Sequence, residues 1–290
     1  MSVATLRDLL HNAVRQLTTI SDTPRLDAEV LLAAALDRPR SYLRAWPEQI
    51  LEPEQAARFA VWLERRLAGE PVAYILGRRE FWSLELEVGP DTLIPRPETE
   101  LLVELALARS PAHQRLTVAD LGTGSGAIAL ALALERPQMR VVATDRSPAA
   151  LTVARRNAQR LGIANVEFRE GDWCAPLAGE SFDLIVSNPP YVAAVDPHWR
   201  QGELRFEPFS ALVAGDDGLE ALRLIIAQAP AHLKPDGWLL LEHGYDQGEA
   251  VPALLRERGF VEVSDHRDGA GLSRASCGRR SSLKCSGRGD

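Results

Sequence analysis

Leu116-Thr117-Val118-Ala119-Asp120-Leu121-Gly122-Thr123-Gly124-Ser125-Gly126-Ala127-Ile128-Ala129-Leu130 carries a short strand pattern into a glycine-rich turn and then into an apolar helix pattern. Glycine at such a turn permits positive φ and lets backbone approach a ligand closely, and the helix that follows offers free N–H groups. The spacing is Gly-x-Gly-x-Gly, whereas a dinucleotide site reads Gly-x-Gly-x-x-Gly. The next apolar run, Val141-Val142-Ala143-Thr144-Asp145, ends in an acid. Its distance from Gly126 is about that of a ribose-binding carboxylate, which can accept from both ribose hydroxyls. A capping role at the helix starting at Pro148 is the alternative for Asp145, and Ser147 could fill that role instead.

Strand and helix patterns alternate on either side of this stretch. Strands are expected at 116–121, 140–145, 165–169, 182–187, 237–242, 260–266 and, weakly, 273–278, with helices at 97–109, 125–135, 147–161, 217–232 and 246–258. The alternation predicts an α/β domain with a mostly parallel seven-stranded sheet covered on both faces. Toward the N-terminus the period changes. Leu6, Leu9, Leu10, Val14 and Leu17 recur at helical spacing, as do Leu26, Val30, Leu31 and Ala34 after Pro24, and Ala57, Ala60, Val61, Leu63 and Leu67 after Pro53. These predict a small all-helical domain over 1–77. Between the two, Phe81 to Val88 alternates and Gly89-Pro90-Asp91 offers a turn before Thr92-Leu93-Ile94-Pro95, which predicts a β-hairpin linker over 78–96. The α/β domain is expected over 97–279, and the polar, Gly/Ser-rich stretch 280–290 as a disordered tail.

The chain has 290 residues and a net charge of −7. Its length allows two domains with a full α/β core. The acidic balance argues against a protein that coats nucleic acid, because phosphate contacts require clustered Lys and Arg. Cys174, Cys277 and Cys285 are few, odd in number and not at metal-ligand spacing. A reducing compartment is expected, with no disulfide framework and no zinc or other metal site. With no secretory leader and no apolar run long enough for a bilayer, a cytoplasmic, membrane-free location is expected.

Two further motifs follow expected strands. Gly171-Asp172-Trp173 comes after the third strand, where Trp173 could stack on a flat base or simply pack in the core. Asn188-Pro189-Pro190-Tyr191 comes after the apolar run Phe182–Ser187, at the carboxyl end where open α/β sheets bind ligands. Two prolines remove two backbone donors and stiffen the loop. The Asn188 side-chain oxygen and the Pro189 carbonyl are then acceptors without local donors, a match for the two coplanar donors of an amide NH2. Tyr191 supplies a flat wall. A plain turn is the alternative, since Asn-Pro is a common turn former.

The glycine loop and Asp145 together resemble the cofactor half of the class I (Rossmann-like) S-adenosylmethionine-dependent methyltransferases. With Asn188-Pro189-Pro190-Tyr191 the chain resembles those that methylate exocyclic or amide nitrogen. Ile94-Pro95-Arg96-Pro97-Glu98-Thr99-Glu100, Pro71–Gly77, Arg205-Phe206-Glu207-Pro208 and Leu241-Glu242-His243-Gly244 narrow the resemblance to the release factor glutamine-N(5) methyltransferase (PrmC/HemK) family. It covers about residues 5 to 279. At the C-terminus the sequence departs from the family. Arg274-Ala275-Ser276-Cys277-Gly278-Arg279 stands where that family has a more apolar strand, and Gly269 replaces a usually apolar residue.

The resemblance implies S-adenosylmethionine as cofactor, held by Gly122, Thr123, Gly124, Ser125, Gly126, Asp145, Trp173 and Asn188. It implies Asn188, Pro189, Pro190 and Tyr191 as the substrate pocket, with Asn188, Pro189 and Tyr191 closest to the chemistry. The implied substrate is the glutamine of the Gly-Gly-Gln motif in class I peptide chain release factors, gripped by the helical domain. Arg96, Pro97 and Glu98 are expected to shape the entrance, and Glu242 and His243 are not favoured as a base. A ribosomal-protein glutamine methyltransferase and an adenine-N(6) nucleic-acid methyltransferase remain as alternatives.

Overall fold

In a computed structural model that describes residues 4–282, the N-terminal helical periodicities become α1 (Leu6–Leu17), α2 (Pro24–Leu36), α3 (Arg40–Ala45), α4 (Pro53–Leu67) and α5 (Val72–Leu76). Local signals start them. Thr5 and Asp8 form a reciprocal capping box on α1, and proline opens α2 and α4. The apolar stripe read on α2 shifts. Ala28, Leu31, Leu32 and Ala35 are buried while Leu26 is exposed, because α2 sits centrally and packs against α1, α3, α4 and α5. The short helices α3 and α5 were not anticipated, being too brief to show a period.

This helical unit also contains residues 200–206, which return to it from far along the chain. Arg66, buried to 1% exposure, donates to Asp27 at 2.7 Å and to Glu203 at 2.6 Å, and Arg205 donates to the Ala68 carbonyl at 2.6 Å. A guanidinium is tolerated at that depth because two carboxylates offset its lost hydration.

The second unit begins at Arg79, within β1 (Arg78–Phe81), which is followed by β2 (Leu84–Glu87). The hairpin forms, but its turn is Trp82-Ser83, not Gly89-Pro90-Asp91. Both turn residues have positive φ, 51° and 58°, the backbone of a tight two-residue hairpin turn. Trp82 adopts it because its backbone N–H donates to Glu100 and its indole N–H to Glu135, each at 2.9 Å. Gly89 does make a turn, accepting from Thr92 N–H at 3.0 Å, but after β2 has ended.

Next come α6 (Glu100–Ala108), β3 (Thr117–Leu121), α7 (Ala127–Glu135), β4 (Arg140–Asp145), α8 (Pro148–Leu161), β5 (Val166–Glu170) and β6 (Phe182–Ser187). They are followed by α9 (Phe209–Leu212), α10 (Glu220–His232), β7 (Leu233–Glu242), α11 (Ala250–Glu257), β8 (Phe260–Arg267) and β9 (Ser273–Arg280). The seven-stranded sheet has the order β5-β4-β3-β6-β7-β9-β8, all parallel except β9. The period-2 alternation of strand side chains divides the core. Val118, Val141, Leu184 and Leu240 face α6 and α7, whereas Ala119, Val142, Ile185 and Leu239 face α10 and α11. Strand order reverses direction between β3 and β6, so the crevice at their carboxyl ends is the ligand site of this topology.

The C-terminal strand, expected to be weak, is fully formed and reaches Arg280, one residue into the expected tail. It is hydrogen-bonded on both sides, to β7 and β8. Neighbours on both edges override its low strand propensity. The polar Ser276 is accommodated by a 2.9 Å hydrogen bond with His243, and Gly278 leaves room for Phe260, whose Cβ would stand 3.0 Å from an added Cβ. The rest of the expected tail, from residue 283 on, lies outside the described residues. Cys174 and Cys277 are buried thiols, raised by burial to about 12 and about 11. No helix among the described residues is long and apolar enough to cross a membrane.

Candidate active site

A cavity of about 390 Å³ opens at the carboxyl ends of β3, β4 and β6. Its walls include Gly122, Thr123, Gly124, Ser125, Asp145, Trp173, Asn188 and Pro190, all anticipated from sequence. Gly126, Pro189 and Tyr191 are not among the residues that line it. Gly126 lies at the start of α7 with φ 88°, where an added Cβ would stand 3.0 Å from Leu130 and 3.3 Å from Ala154. Its small size serves close packing beneath the loop.

The other two glycines have distinct reasons. At Gly122 (φ 72°) a Cβ would come within 3.3 Å of the Trp173 ring, so the absent side chain makes room for the indole. At Gly124 (φ 56°) a Cβ would meet no atom within 4 Å. That backbone faces open space, as a ligand-facing turn must. Gly124 N–H donates to Asp145 Oδ2 at 2.9 Å, and Asp145 Oδ1 accepts from Ser147 N–H at 2.8 Å. Ser147, not Asp145, caps α8, its hydroxyl accepting from Ala150 N–H at 3.2 Å. Each Asp145 oxygen thus keeps a lone pair for a further donor. Burial raises the Asp145 pKa, and the two backbone donors oppose that rise.

Trp173 has positive φ (46°), and its carbonyl accepts from the Thr144 hydroxyl at 3.0 Å. Its half-buried ring packs against the core on one side and lines the cavity on the other, so both readings of this residue have a physical basis. Behind the loop, Asp120 is fully buried and pushed up to about 7 by burial. The Thr123 hydroxyl donates to it at 2.6 Å.

Asn188 ends up with its two polar atoms in different states. Nδ2 donates to Thr99 Oγ1 at 3.1 Å, while Oδ1 is buried with no hydrogen-bond partner among the described residues. A buried, unpaired amide oxygen costs free energy, on the order of 1–3 kcal/mol, unless a ligand donor meets it. Tyr191 Oη donates to Glu242 Oε1 at 3.3 Å, and burial pushes its pKa upward.

Several contributors escaped sequence reasoning. Glu207 accepts from Ile94 N–H at 3.1 Å and from Arg96 Nη2, so it fastens the proline-rich linker. Arg96, expected from sequence at the entrance, lines the cavity together with Thr99 and with Pro208, next to Glu207. Asn157 of α8 accepts from Glu87 N–H at 2.7 Å and donates to the carbonyls of Glu87 and Ser125, each at 3.0 Å. It ties hairpin to glycine loop. A buried asparagine inside a helix was the available signal, since such residues are poor helix formers that earn burial through hydrogen bonds.

The cavity fits S-adenosylmethionine in kind: open backbone at Gly124, a carboxylate with spare lone pairs at Asp145, an aromatic face at Trp173. Among the described residues no group of three or more His, Cys, Asp or Glu side chains could hold a metal ion.

Comparison with known proteins agrees with this architecture. Residues 8–77 match a family model described as the PrmC N-terminal domain, and residues 112–265 match one described as a methyltransferase domain. A release factor glutamine methyltransferase of Pseudomonas aeruginosa is 59% identical over 259 residues, covering 89% of this chain and 94% of the relative. That of Coxiella burnetii is 50% identical over 275 residues, covering 95% and 99%. A solved methyltransferase structure from Pyrococcus furiosus, 20% identical, superposes with a TM-score of 0.53 over 75% of this chain and 97% of that one, which speaks to the fold alone. With such identity over nearly its whole length, the chain belongs to the release factor glutamine methyltransferase family.

Proposed function

We propose that this enzyme transfers a methyl group from S-adenosylmethionine to the side-chain amide nitrogen of the glutamine in the Gly-Gly-Gln motif of class I peptide chain release factors. The observation that carries the reading is the buried, unpaired Oδ1 of Asn188 beside the cavity. An amide NH2 has two coplanar donors, and Asn188 Oδ1 with the Pro189 carbonyl offers two acceptors on a loop stiffened by prolines.

When bound, S-adenosylmethionine supplies an electrophilic sulfonium methyl. Asp145 would hold the ribose hydroxyls, the Gly122–Gly126 loop the amino-acid portion and Trp173 the adenine face. Asn188 and Pro189 would orient the nitrogen and favour the positive charge that develops on it. An amide nitrogen is a weak nucleophile, so holding it in line at near-attack distance is the main task, and it can supply several kcal/mol. The proton can leave after transfer, so no strong base is required. The helical unit would grip the body of the release factor, because a Gly-Gly-Gln tip offers little contact area.

The test is incubation with S-adenosylmethionine carrying a labelled methyl group and a purified release factor, followed by peptide mapping. Label on the glutamine of the Gly-Gly-Gln peptide is expected. Label elsewhere, or none, overturns the reading.

A further inference from the structure

Gln247 lies in the turn between β7 and α11, is 7% exposed, and the steps above leave it without a role. Its side chain joins three segments. Oε1 accepts from Gly244 N–H at 2.9 Å, while Nε2 donates to the Tyr191 carbonyl at 3.1 Å and to the Gly218 carbonyl at 3.4 Å. One backbone donor and two backbone acceptors permit a single orientation of the amide. Gly218 stands just before α10 with φ 73°, and a Cβ there would overlap the Tyr191 carbonyl and come within 3.0 Å of Gln247 Nε2. Glycine at 218 is what leaves room for this junction.

Tyr191 ends the loop that carries the substrate acceptors. Neither Pro189 nor Pro190 has a backbone N–H, so the loop has no donor of its own at its two inner positions. It is held at its ends instead. At the entry, Asn188 Nδ2 donates to Thr99 Oγ1 at 3.1 Å. At the exit, the Tyr191 carbonyl accepts from Gln247, and Val192 N–H donates to the Leu212 carbonyl at 2.9 Å. Proline holds φ at about −65° at both inner positions. With φ fixed there, the direction of the Pro189 carbonyl follows from where the two ends are held.

We propose that Gln247 is a positioning residue that pins the exit of the Asn188–Tyr191 loop through the Tyr191 carbonyl, and so aims the Pro189 carbonyl at the substrate nitrogen. The inference rests on the glutamine-methylation reading above.

The test uses the full chain, a purified release factor and saturating S-adenosylmethionine. Gln247→Met keeps the volume and removes all three bonds. Gln247→Glu keeps an acceptor for Gly244 but turns a carboxylate oxygen toward two carbonyls. Both are expected to lower kcat about tenfold or more, the scale of a small misplacement of reacting groups, with cofactor affinity by calorimetry nearly unchanged. A residue that only held the fold together would lower kcat and cofactor affinity in step. Gly218→Ala crowds the same carbonyl and is expected to reproduce the loss. Combined with Gln247→Met it is expected to be no more than about twofold slower than the slower single variant, since changes at one contact are not additive.

Parental kcat in Gln247→Met, recovery of activity in Gln247→Glu, cofactor affinity that falls in step with kcat, or additive losses would each overturn the proposal. Should neither glutamine variant fold, parental kcat in Gly218→Ala does so. A parent enzyme that leaves the release factor glutamine unmethylated overturns the functional reading itself. Methylation by the parent, with the variants unaffected, removes only the role of Gln247.

Discussion

Asn188 and Asp145 carry opposite burdens, and the difference sets what each substitution should do. Asn188 Oδ1 is unpaired in the folded chain, so its energetic return comes only with substrate. Asn188→Ala is expected to lower kcat by about a hundredfold or more, as for loss of a preorganised polar group, with cofactor affinity nearly intact. Turnover close to that of the parent would remove Asn188 from the chemistry. Asp145 already serves Gly124 and Ser147 and keeps lone pairs for the ribose. Asp145→Ala is expected to weaken S-adenosylmethionine binding by about 1.5–3 kcal/mol, the value of hydrogen bonds to a charged group. Calorimetry measures it, and unchanged affinity would leave Asp145 with a loop-bracing role alone. Both residues were legible in sequence because each ends a strand beside a turn. The hydrogen-bond roles of Thr99 and Glu207 were not legible, since their partners lie far away along the chain.

At the scale of elements, the glycine loop depends on a clamp. Asn157 of α8 holds the Ser125 carbonyl and both backbone groups of Glu87. Asn157→Ala leaves buried groups unsatisfied, each worth about 1–3 kcal/mol. A loss of roughly 2–4 kcal/mol in urea unfolding is expected from these bonds, together with weaker cofactor binding as the loop loosens. Stability within about 0.5 kcal/mol of the parent would show that the clamp is dispensable. The hairpin shows why local reading misplaced a turn. Gly-Pro-Asp is better turn chemistry than Trp-Ser, but Glu100 and Glu135 hold Trp82 in a left-handed conformation that it rarely adopts alone. The last strand shows the reverse: a sequence poor in strand formers is held by a partner on each edge.

Across the whole molecule, two buried carboxyls make stability depend on pH. Burial raises Asp120 from 3.8, and Glu242 from 4.5, to about 7. A raised carboxyl contributes its stability fully below its unfolded value and loses it as pH rises through the folded value. These two groups therefore withdraw stability between about pH 4 and 7. Glu167 acts oppositely. Arg169 and Arg140 lower it to about 2, so its contribution is present above its ordinary value of 4.5 and lost as pH falls toward the folded one. Being half exposed, it contributes little. Tm without cofactor is expected to decline from about pH 5 to 8, and Asp120→Asn to flatten that decline. A Tm that rises over this range in both proteins would contradict the assignment.

Size of substrate is the other whole-molecule test. If the helical unit grips the release factor body, a short Gly-Gly-Gln peptide should show a far higher KM than the intact factor, because remote contacts supply the binding energy that positions the glutamine. Equal kcat/KM for peptide and protein would leave the helical unit without a recognition role.

Periodicity and punctuation in the sequence determined most of the elements, though not α3, α5, the buried face of α2 or the hairpin turn, and placed the glycine loop, Asp145, Trp173 and Asn188 at or just beyond strand ends. These are short-range matters: apolar spacing sets helix or strand, and glycine or proline limits φ within a few residues. What only the tertiary structure decided is which polar atoms are left over. Asn188 gives its nitrogen to Thr99, 89 residues away, Tyr191 bonds Glu242 across 51, and Glu207 reaches Ile94 across 113. Side-chain hydrogen bonds act over about 3 Å and carry no periodicity. Their partners are therefore set by how the sheet brings strand ends together, and no local pattern in the chain records it.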